Sequence, residues 1–460
     1  MMEFDPGSFR DRDGRVFRHN GAIYRALSES ATADWQALSA TKFFPRLMAE
    51  GKIIGSRQVD PPIAMEPGWP TVLRHDLIPF ISYPYEWPFA MLKDAALLQL
   101  EILLSAIGED LILKDATAYN FQWMGSRPVL IDVSSFERME TGRPWPGYRQ
   151  FCQLFLNPLF LKAYKDIPYQ PWLRGNLEGI DPEDCMKAMS ARDLLRPGIF
   201  KHVYLHAKLQ SAYGDTKQDV NRTLQSAGFH KELIESNLRA LTKLVQGLEW
   251  KRTTSTWSGY AEQNSYSGEE RKAKESFVEK AAGSRRSKLV WDLGCNTGVF
   301  SRIAAGHSDY VVAMDADPLT IDLLYRDLKK NKNETILPLI SNVANPGPDQ
   351  GWKGLERKSL AARGKPDLVL CLALIHHLVI SANIPLREFI DWLASLRTDL
   401  VIEFVSKQDP MVKKLLLNKK DIYADYDQPN LELSLRERFE IRDTLALSSG
   451  TRTLYHCVCK

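Results

Sequence analysis

Cysteine is scarce in this chain and scattered: six in 460 residues, at positions 152, 185, 295, 371, 457 and 459, with no C-x-x-C pair. That spacing excludes a disulfide framework and a zinc site built on paired thiols, and it suits reduced cysteines; Cys457 and Cys459 share one face of a strand and read as packing. Long apolar runs are missing as well. The greasiest stretch, Ala95 to Ile107, is broken by Gln99 and Glu101 and falls short of the roughly 20 apolar residues of a membrane span. Met1-Met2-Glu3-Phe4-Asp5 carries acids and no apolar targeting core, so a cytoplasmic protein is expected. No internal repeat or low-complexity tract stands out. Sixty basic against 57 acidic side chains leave a net charge of +3, too even for a chain built mainly to grip a nucleic-acid backbone. Lys413-Lys414 and Lys419-Lys420 flank three leucines and read as a solvated helix face. With 44% hydrophobic and 25% charged residues the chain is globular, and it is long enough for two domains.

The densest information lies in Val290-Trp291-Asp292-Leu293-Gly294-Cys295-Asn296-Thr297-Gly298, followed by the apolar run Tyr310 to Met314 that ends in Asp315. A strand, a glycine turn and a helix (Val299 to Ala305) make a first β-α unit. The second strand delivers an acid 23 positions after Asp292, near the spacing that sets a carboxylate against a ribose hydroxyl in dinucleotide-type folds. The glycines do not make G-x-G-x-x-G, which would need Gly at Asn296 and Val299. They make G-x-N-x-G, and asparagine is one of the few side-chain-bearing residues that tolerates positive φ.

On these residues, roughly 255–460 resembles the class I S-adenosylmethionine-dependent methyltransferases. The resemblance implies a seven-stranded, doubly wound, Rossmann-like sheet. It puts Asp292, Gly294, Cys295, Asn296 and Gly298 around the methionine half of the cofactor and Asp315 with Ala316 at its ribose. After a third strand, Ile336 to Ile340, it puts Asn342 and Val343 at the adenine, where an amide oxygen stands in for the more usual acid. Pro366 to Leu372 reads as a buried parallel strand, and Leu372 would border the cofactor. Ala373-Leu374-Ile375-His376-His377-Leu378 is similar to the "LHH" closing the fourth strand of many small-molecule methyltransferases. A fifth strand runs Leu400 to Val405, and Phe439 to Ile441 with Thr453 to Val458 form a terminal hairpin.

Methyl transfer from a sulfonium is an in-line displacement, so alignment supplies much of the rate, up to roughly 7–11 kcal/mol in favourable cases. A protonated acceptor also needs a base. His376 and His377 sit where the crevice should open; of the two, His376 is taken as the base, with the other bracing the next helix. Glu403 is a further catalytic candidate, and its structural alternative is a pair with Lys407 or another cation. His202 and His206, four apart on a helix, could share a metal, but Val203 stands where a zincin has Glu and no third ligand follows.

The N-terminal half is read as an α+β domain over 1–165, followed by a helical connector over 166–254. His19-Asn20-Gly21 between two short strands is a hairpin signal. Ala33 to Phe44 reads as helix ended by Pro45, and Asp60 to Pro70 as a Pro-rich loop. Met91 to Ile107 reads as an amphipathic helix with Leu97, Leu98, Glu101 and Leu104 marking its buried side and wet edge, and Phe229 to Leu248 as another built on Ile234, Leu238, Leu241, Val245 and Leu248. Leu113-Lys114-Asp115 through Asn120 and then Pro128 to Asp132 resemble the catalytic loop and metal-binding Asp of kinase-fold phosphotransferases. That resemblance gives Asp115 the hydroxyl to orient and Asn120 and Asp132 a magnesium ion. Leu113-Lys114 and Val133-Ser134 depart from the pattern, and no glycine-rich phosphate loop or β3-lysine context is found, so Asp115 and Asn120 can equally organise a turn. Trp257 to Tyr260 and Asn264 to Tyr266 precede the methyltransferase core, with Tyr260 and Tyr266 as lid aromatics.

Ile81-Ser82-Tyr83-Pro84-Tyr85-Glu86-Trp87-Pro88 and Ala344-Asn345-Pro346 are similar to segments of bacterial nodulation-protein-like methyltransferases, a likeness that identifies no acceptor. The expectation is a methyltransferase that uses S-adenosylmethionine on a small-molecule acceptor recognised by the N-terminal half, without nucleic acid or membrane as partner. Two alternatives stand beside it: a nucleotide-binding or phosphotransferase module with a SAM-binding sensor domain, and a tRNA-modifying methyltransferase, which lacks its Asn-Pro-Pro-Tyr type motif here.

Overall fold

The computed structural model of the protein describes residues 3–62, 68–140, 142–208, 230–254, 268–417 and 419–460; the aromatics Trp257 to Tyr266 and Phe229 lie outside them, as does part of the Pro-rich loop. The chain divides into two compact units, one of Met1–Trp123, Pro128–Arg252 and Asp349–Arg357, the other of Met124–Arg127, Thr253–Pro348 and Lys358–Lys460. The helices of the connector therefore count with the first unit. No helix of the described residues is long and apolar enough to cross a membrane.

The first unit opens with strands β1 (Glu3–Phe4), β2 (Gly14–His19), β3 (Ala22–Leu27), β4 (Ser56–Val59) and β5 (Thr71–His75), an antiparallel sheet in the order β1-β2-β3-β5-β4. His19 faces Ala22, so Asn20 and Gly21 alone make the turn, and both have positive φ (47° and 75°), the hairpin turn that matches strand twist. Between β3 and β4 lie α1 (Glu29–Ser39) and α2 (Phe43–Ala49). This corrects the single helix ended by Pro45. Ser28 accepts the amide of Ala31 and starts α1 early, while Pro45 sits in the first turn of α2, where its missing N–H costs little. Glu109 caps α2 from a distance, accepting the Lys42 and Phe43 amides at 2.8 Å each.

Helix α3 (Phe89–Gly108) runs through the unit with most of its circumference buried. Leu97 and Leu104 are half-buried and Glu101 is exposed, so three of the positions read as its pattern form a narrow rim, while Ala95, Leu98, Leu100, Ile102 and Leu103 do the packing. Helix α4 (Lys231–Gly247) buries the expected Ile234, Leu238, Leu241 and Val245. Small antiparallel pairs follow α3: β6 (Leu111–Leu113) with β9 (Phe136–Arg138), and β7 (Phe121–Met124) with β8 (Arg127–Leu130).

The second unit is the seven-stranded α/β sheet. Its strands are β10 (Ser287–Leu293), β11 (Ser308–Asp315), β12 (Ile336–Ile340), β13 (Leu368–Cys371), β14 (Asp399–Val405), β15 (Phe439–Ala446) and β16 (Arg452–Cys459). They lie in the order β12-β11-β10-β13-β14-β16-β15, which is 3-2-1-4-5-7-6 in strand sequence. The first five are parallel, and β16 enters antiparallel against β14. Val290, Val311, Ala313, Leu370 and Val401 fill one face of the sheet against α5 (Gly268–Ala282), α6 (Val299–Ala305) and α7 (Pro318–Lys330), as near-continuous apolar runs should in strands covered on both sides. The strand order is that of the class I methyltransferase fold, and it reverses between β10 and β13, where crevices in such sheets open.

Two glycines separate conformational from steric demand. Gly21 has φ +75° and open space around its absent Cβ; Gly298 has φ +77°, and a Cβ there would lie 2.8 Å from Leu324 Cδ1. Gly21→Ala should cost about 1 kcal/mol of the first unit's stability in urea unfolding, from the left-handed backbone alone. Gly298→Ala should cost the second unit about 1–3 kcal/mol more than that, from overlap. Equal losses would mean that Leu324 gives way freely.

Candidate functional site: the crevice at the ends of β10 and β11

The site is built on backbone hydrogen bonds. After Leu293 the chain turns through positive φ at Gly294 (76°), Asn296 (48°) and Gly298 (77°) and enters α6. The turn hangs from the end of β11, because the Gly294 and Cys295 amides both donate to the Met314 carbonyl, at 2.8 and 2.9 Å. The Asp315 carboxylate ties the next residue. Its Oδ2 accepts the Asn296 amide at 3.0 Å and its Oδ1 accepts the Asp317 amide at 2.9 Å, while Asn296 Oδ1 takes the Thr297 amide at 2.8 Å. Burial raises the Asp315 pKa, and backbone donation from Asp317, Asn296 and Ala316 offsets part of that. The Ser341 amide donates to the Asp315 carbonyl at 2.9 Å, which brings the chain leaving β12 alongside.

Not all predicted neighbours face outward. Asp292 is 1% exposed, accepts a 2.6 Å bond from Ser301 Oγ and is pushed up to about 6 by burial, which outweighs the Ser301 hydroxyl. Cys295 is buried and its thiol is pushed well up by desolvation, and Leu372 is buried. Ala316 and Asn342 are exposed and Val343 is half-buried. Asn342 Oδ1 already accepts the Ala344 amide at 3.0 Å, so one lone pair remains for a second donor.

Beyond β13 the chain passes Ala373 at φ 51° and puts Leu374 beside Gly294, 3.4 Å from where a Cβ would stand. The two histidines come next, with ring centroids 4.1 Å apart. His376 is 0% exposed, neither ring nitrogen has a hydrogen-bond partner, and burial drives its pKa well below the usual value. His377 is half-buried, and burial, with the Arg452 charge adding, lowers it to about 4. The accessible ring is thus that of His377, the second choice of the sequence reading.

Glu403 sits at the end of β14 with 0% exposure, 2.6 Å from Lys274 Nζ and 3.4 Å from Arg452 Nη1; Arg452 Nε in turn meets Asp409 at 2.7 Å. Its cations are therefore Lys274 of α5 and Arg452 of β16, and Lys407 pairs with Asp421 instead. No sequence signal joined these four residues, which come from distant segments.

In the first unit, Asp132 Oδ1 lies 2.8 Å from Arg25 Nη1 on β3 and accepts Ser134 Oγ at 2.7 Å. Burial pushes Asp132 up, but the Arg25 charge and the Ser134 bonds together hold it below the usual range. Asp115 is raised, by burial and then by the charge of Asp132. The Asn120 backbone closes a turn, its amide donating to Thr117 O and its carbonyl accepting the Ile131 amide. Among the described residues no group of three or more His, Cys, Asp and Glu is arranged to hold a metal ion. His202 Nδ1 lies 2.6 Å from Tyr148 Oη, and His206 packs on the same ring. Arg25 is what the sequence reading missed; in an alternating strand nothing marked it.

No protein-family model matches the chain. It is 35% identical over 455 residues to nodulation protein NoeA of Rhizobium meliloti (strain 1021), covering 98% of this chain and 94% of that one. Among solved structures, N-methyltransferase NodS from Bradyrhizobium japonicum WM9 is 12% identical with a TM-score of 0.31, covering 42% of this chain and 87% of its own. Magnesium protoporphyrin IX methyltransferase from Synechocystis PCC 6803 is 19% identical with a TM-score of 0.29, over 41% and 84%. At these scores neither likeness identifies a substrate.

Two measurements test the electrostatics. Glu403→Gln leaves buried Lys274 without its counter-ion and should cost about 3–5 kcal/mol in urea unfolding, whereas adding Lys274→Met should restore part of it, since Arg452 keeps Asp409. An additive double variant would mean the pair is not coupled. Asp292 has a folded pKa of about 6 against an ordinary 3.8, so between those values the folded state holds a proton the unfolded state has lost. Stability should fall as pH rises through that window, by about 3 kcal/mol in total, and stay level above it. Asp292→Asn should remove that slope; an unchanged profile would assign it to other groups.

Proposed function

The chain belongs to the family of nodulation protein NoeA, and from that membership and the turn built at the ends of β10 and β11 we propose that it is an S-adenosylmethionine-dependent methyltransferase acting on a small-molecule acceptor. The observation that carries the reading is the Asp315 carboxylate, fixed at the end of β11 by the Asn296 and Asp317 amides. A carboxylate held there suits a ribose hydroxyl, and the donor set around it fits the cofactor. Gly294, Asn296 and Gly298 bring backbone rather than side chain to the methionine end, Asn342 Oδ1 offers its remaining lone pair to the adenine amino group, and Ala316, Val343 and Leu372 flank. Asp292 and Cys295, both buried, hold the turn from behind.

S-adenosylmethionine, when bound, supplies an electrophilic methyl group. The protein's part is to orient the acceptor and receive its proton. His377 is the candidate, because its ring is accessible where that of His376 is not. With a pKa of about 4 it is neutral at physiological pH: always able to accept a hydrogen bond from the acceptor, and a weak base. Glu403, held between Lys274 and Arg452, positions β14 and β16 and touches no substrate in this scheme. The first unit recognises the acceptor. Phosphotransfer by that unit has less support, since Asp132 is already matched by Arg25.

Calorimetry with S-adenosylhomocysteine should give binding to the wild type and a loss of about 10- to 100-fold with Asp315→Ala, from lost charge-assisted hydrogen bonding. Absence of binding to the wild type ends the proposal. In a labelled-methyl assay against metabolite pools, the acid limb of kcat/KM should lie near 4 rather than the ordinary 6.5, and His377→Ala should abolish that limb.

A further inference from the structure

A second site is carried by the first unit, apart from the residues assigned to methyl transfer. A cleft of about 630 Å³ lies beside the Asn20-Gly21 turn, the end of α2 and the paired ends of β4 and β5. The volume falls in the range of small-molecule sites, about 300–1,000 Å³. Three features of its lining point to one kind of occupant.

The first is cationic. Arg57 and Arg74 both line the cleft, both are exposed, and they stand directly opposite each other across the β4–β5 pair. Like charges in that position repel. Neither guanidinium has an ion-pair partner among the described residues. A bound anion would turn that repulsion into shared binding, and the guanidinium fork matches a phosphate.

The second is an unmatched polar atom. His75 lines the same cleft at 9% exposure, and its Nε2 has no hydrogen-bond partner. Its Nδ1 lies 2.8 Å from Ser56 Oγ, which itself lies 3.0 Å from the Ile54 carbonyl. A hydroxyl has one hydrogen. If Ser56 gives it to Ile54, His75 Nδ1 carries the ring proton and Nε2 is a bare acceptor. Burial, with the Arg25 charge adding, lowers the ring to about 3, so it adds no cation to the cleft.

The third is an acid that keeps the site from being a general anion trap. Asp76 lines the cleft with its carboxylate folded over Gly55, at the place a Cβ would occupy. It repels a bare anion and accepts from hydroxyl or amine groups.

We propose that this cleft binds a small phosphorylated polyhydroxy molecule, a sugar phosphate or nucleoside phosphate, with its phosphate on Arg57 and Arg74 and its hydroxyl or amine donors on Asp76. The two arginines act on charge, and the acid distinguishes such a ligand from inorganic phosphate. The site does not depend on methyl transfer in the second unit.

The test is calorimetry on the full chain with ribose 5-phosphate, AMP, ribose and inorganic phosphate. Ribose 5-phosphate or AMP should bind, and whichever is tighter names the source of the shared chemistry. Ribose and inorganic phosphate should each be weaker by about tenfold or more, one lacking the anion and the other the donors. Arg57→Gln and Arg74→Gln, both at exposed positions that leave the core intact, should each weaken ribose 5-phosphate by about tenfold and leave S-adenosylhomocysteine binding where it is in the wild type. The proposal is overturned if neither phosphorylated probe binds at millimolar concentration, if inorganic phosphate binds as tightly as they do, or if the arginine variants bind them unchanged.

Discussion

The strand-to-helix turn at Gly294 to Gly298 is the constraint on which the second unit's function rests. A parallel strand that ends in a crevice leaves its last backbone groups to be matched by the next segment of chain or by a neighbouring strand. Here the match is made by β11: one carbonyl, that of Met314, takes two amides, and one carboxylate, Asp315, takes a third. Three residues at positive φ make the reversal tight enough for those bonds to close. The same carboxylate is thereby held at the end of β11, so the bonds that build the loop also orient the group that would hold a ligand. Preorganisation of this kind costs little at the moment of binding, since the side chain is already immobilised.

A second constraint is electrostatic. Lys274, Glu403, Arg452 and Asp409 alternate in sign through the interior, joining α5, β14, β16 and the turn after β14. Desolvating four charges is expensive, and their mutual attraction offsets it only while all four are present. This is why Glu403, which in sequence has the look of a base at a strand end, is poorly suited to be one: both its oxygens are engaged by cations that burial would leave stranded.

Legibility in the sequence was a matter of range. The five parallel strands could be read because strands covered on both faces are continuous apolar runs, and the Asn20-Gly21 hairpin because its two residues are the ones that tolerate the required φ. Pro45 misled because proline stops a helix in its interior and starts one at its first turn, and only the cap at Ser28 and the remote carboxylate of Glu109 tell the cases apart. The rim of α3 was taken for its pattern because a helix buried on most sides has no strong apolar stripe to find. Arg25 with Asp132, Glu403 with Lys274, and Arg57 with Arg74 are pairs made by tertiary structure, and no local spacing encodes them.

The two histidines stand where the crevice meets the buried charges. His376 has neither nitrogen matched and no exposure, so protonating it would place an unpaired charge in the interior, beside His377 and within the field of Arg452 and Lys274. His377 feels the Arg452 charge at its more open position, and its proton affinity is lowered by burial and by that charge. Glu403 bears on this indirectly: by engaging Lys274 and Arg452 it keeps the cation field at the histidines smaller than two bare charges would make it. Burial, with the Arg452 charge adding, sets how weak a base the neighbouring ring is, and a ring kept neutral at physiological pH is suited to accepting a hydrogen bond from a substrate rather than to storing a proton.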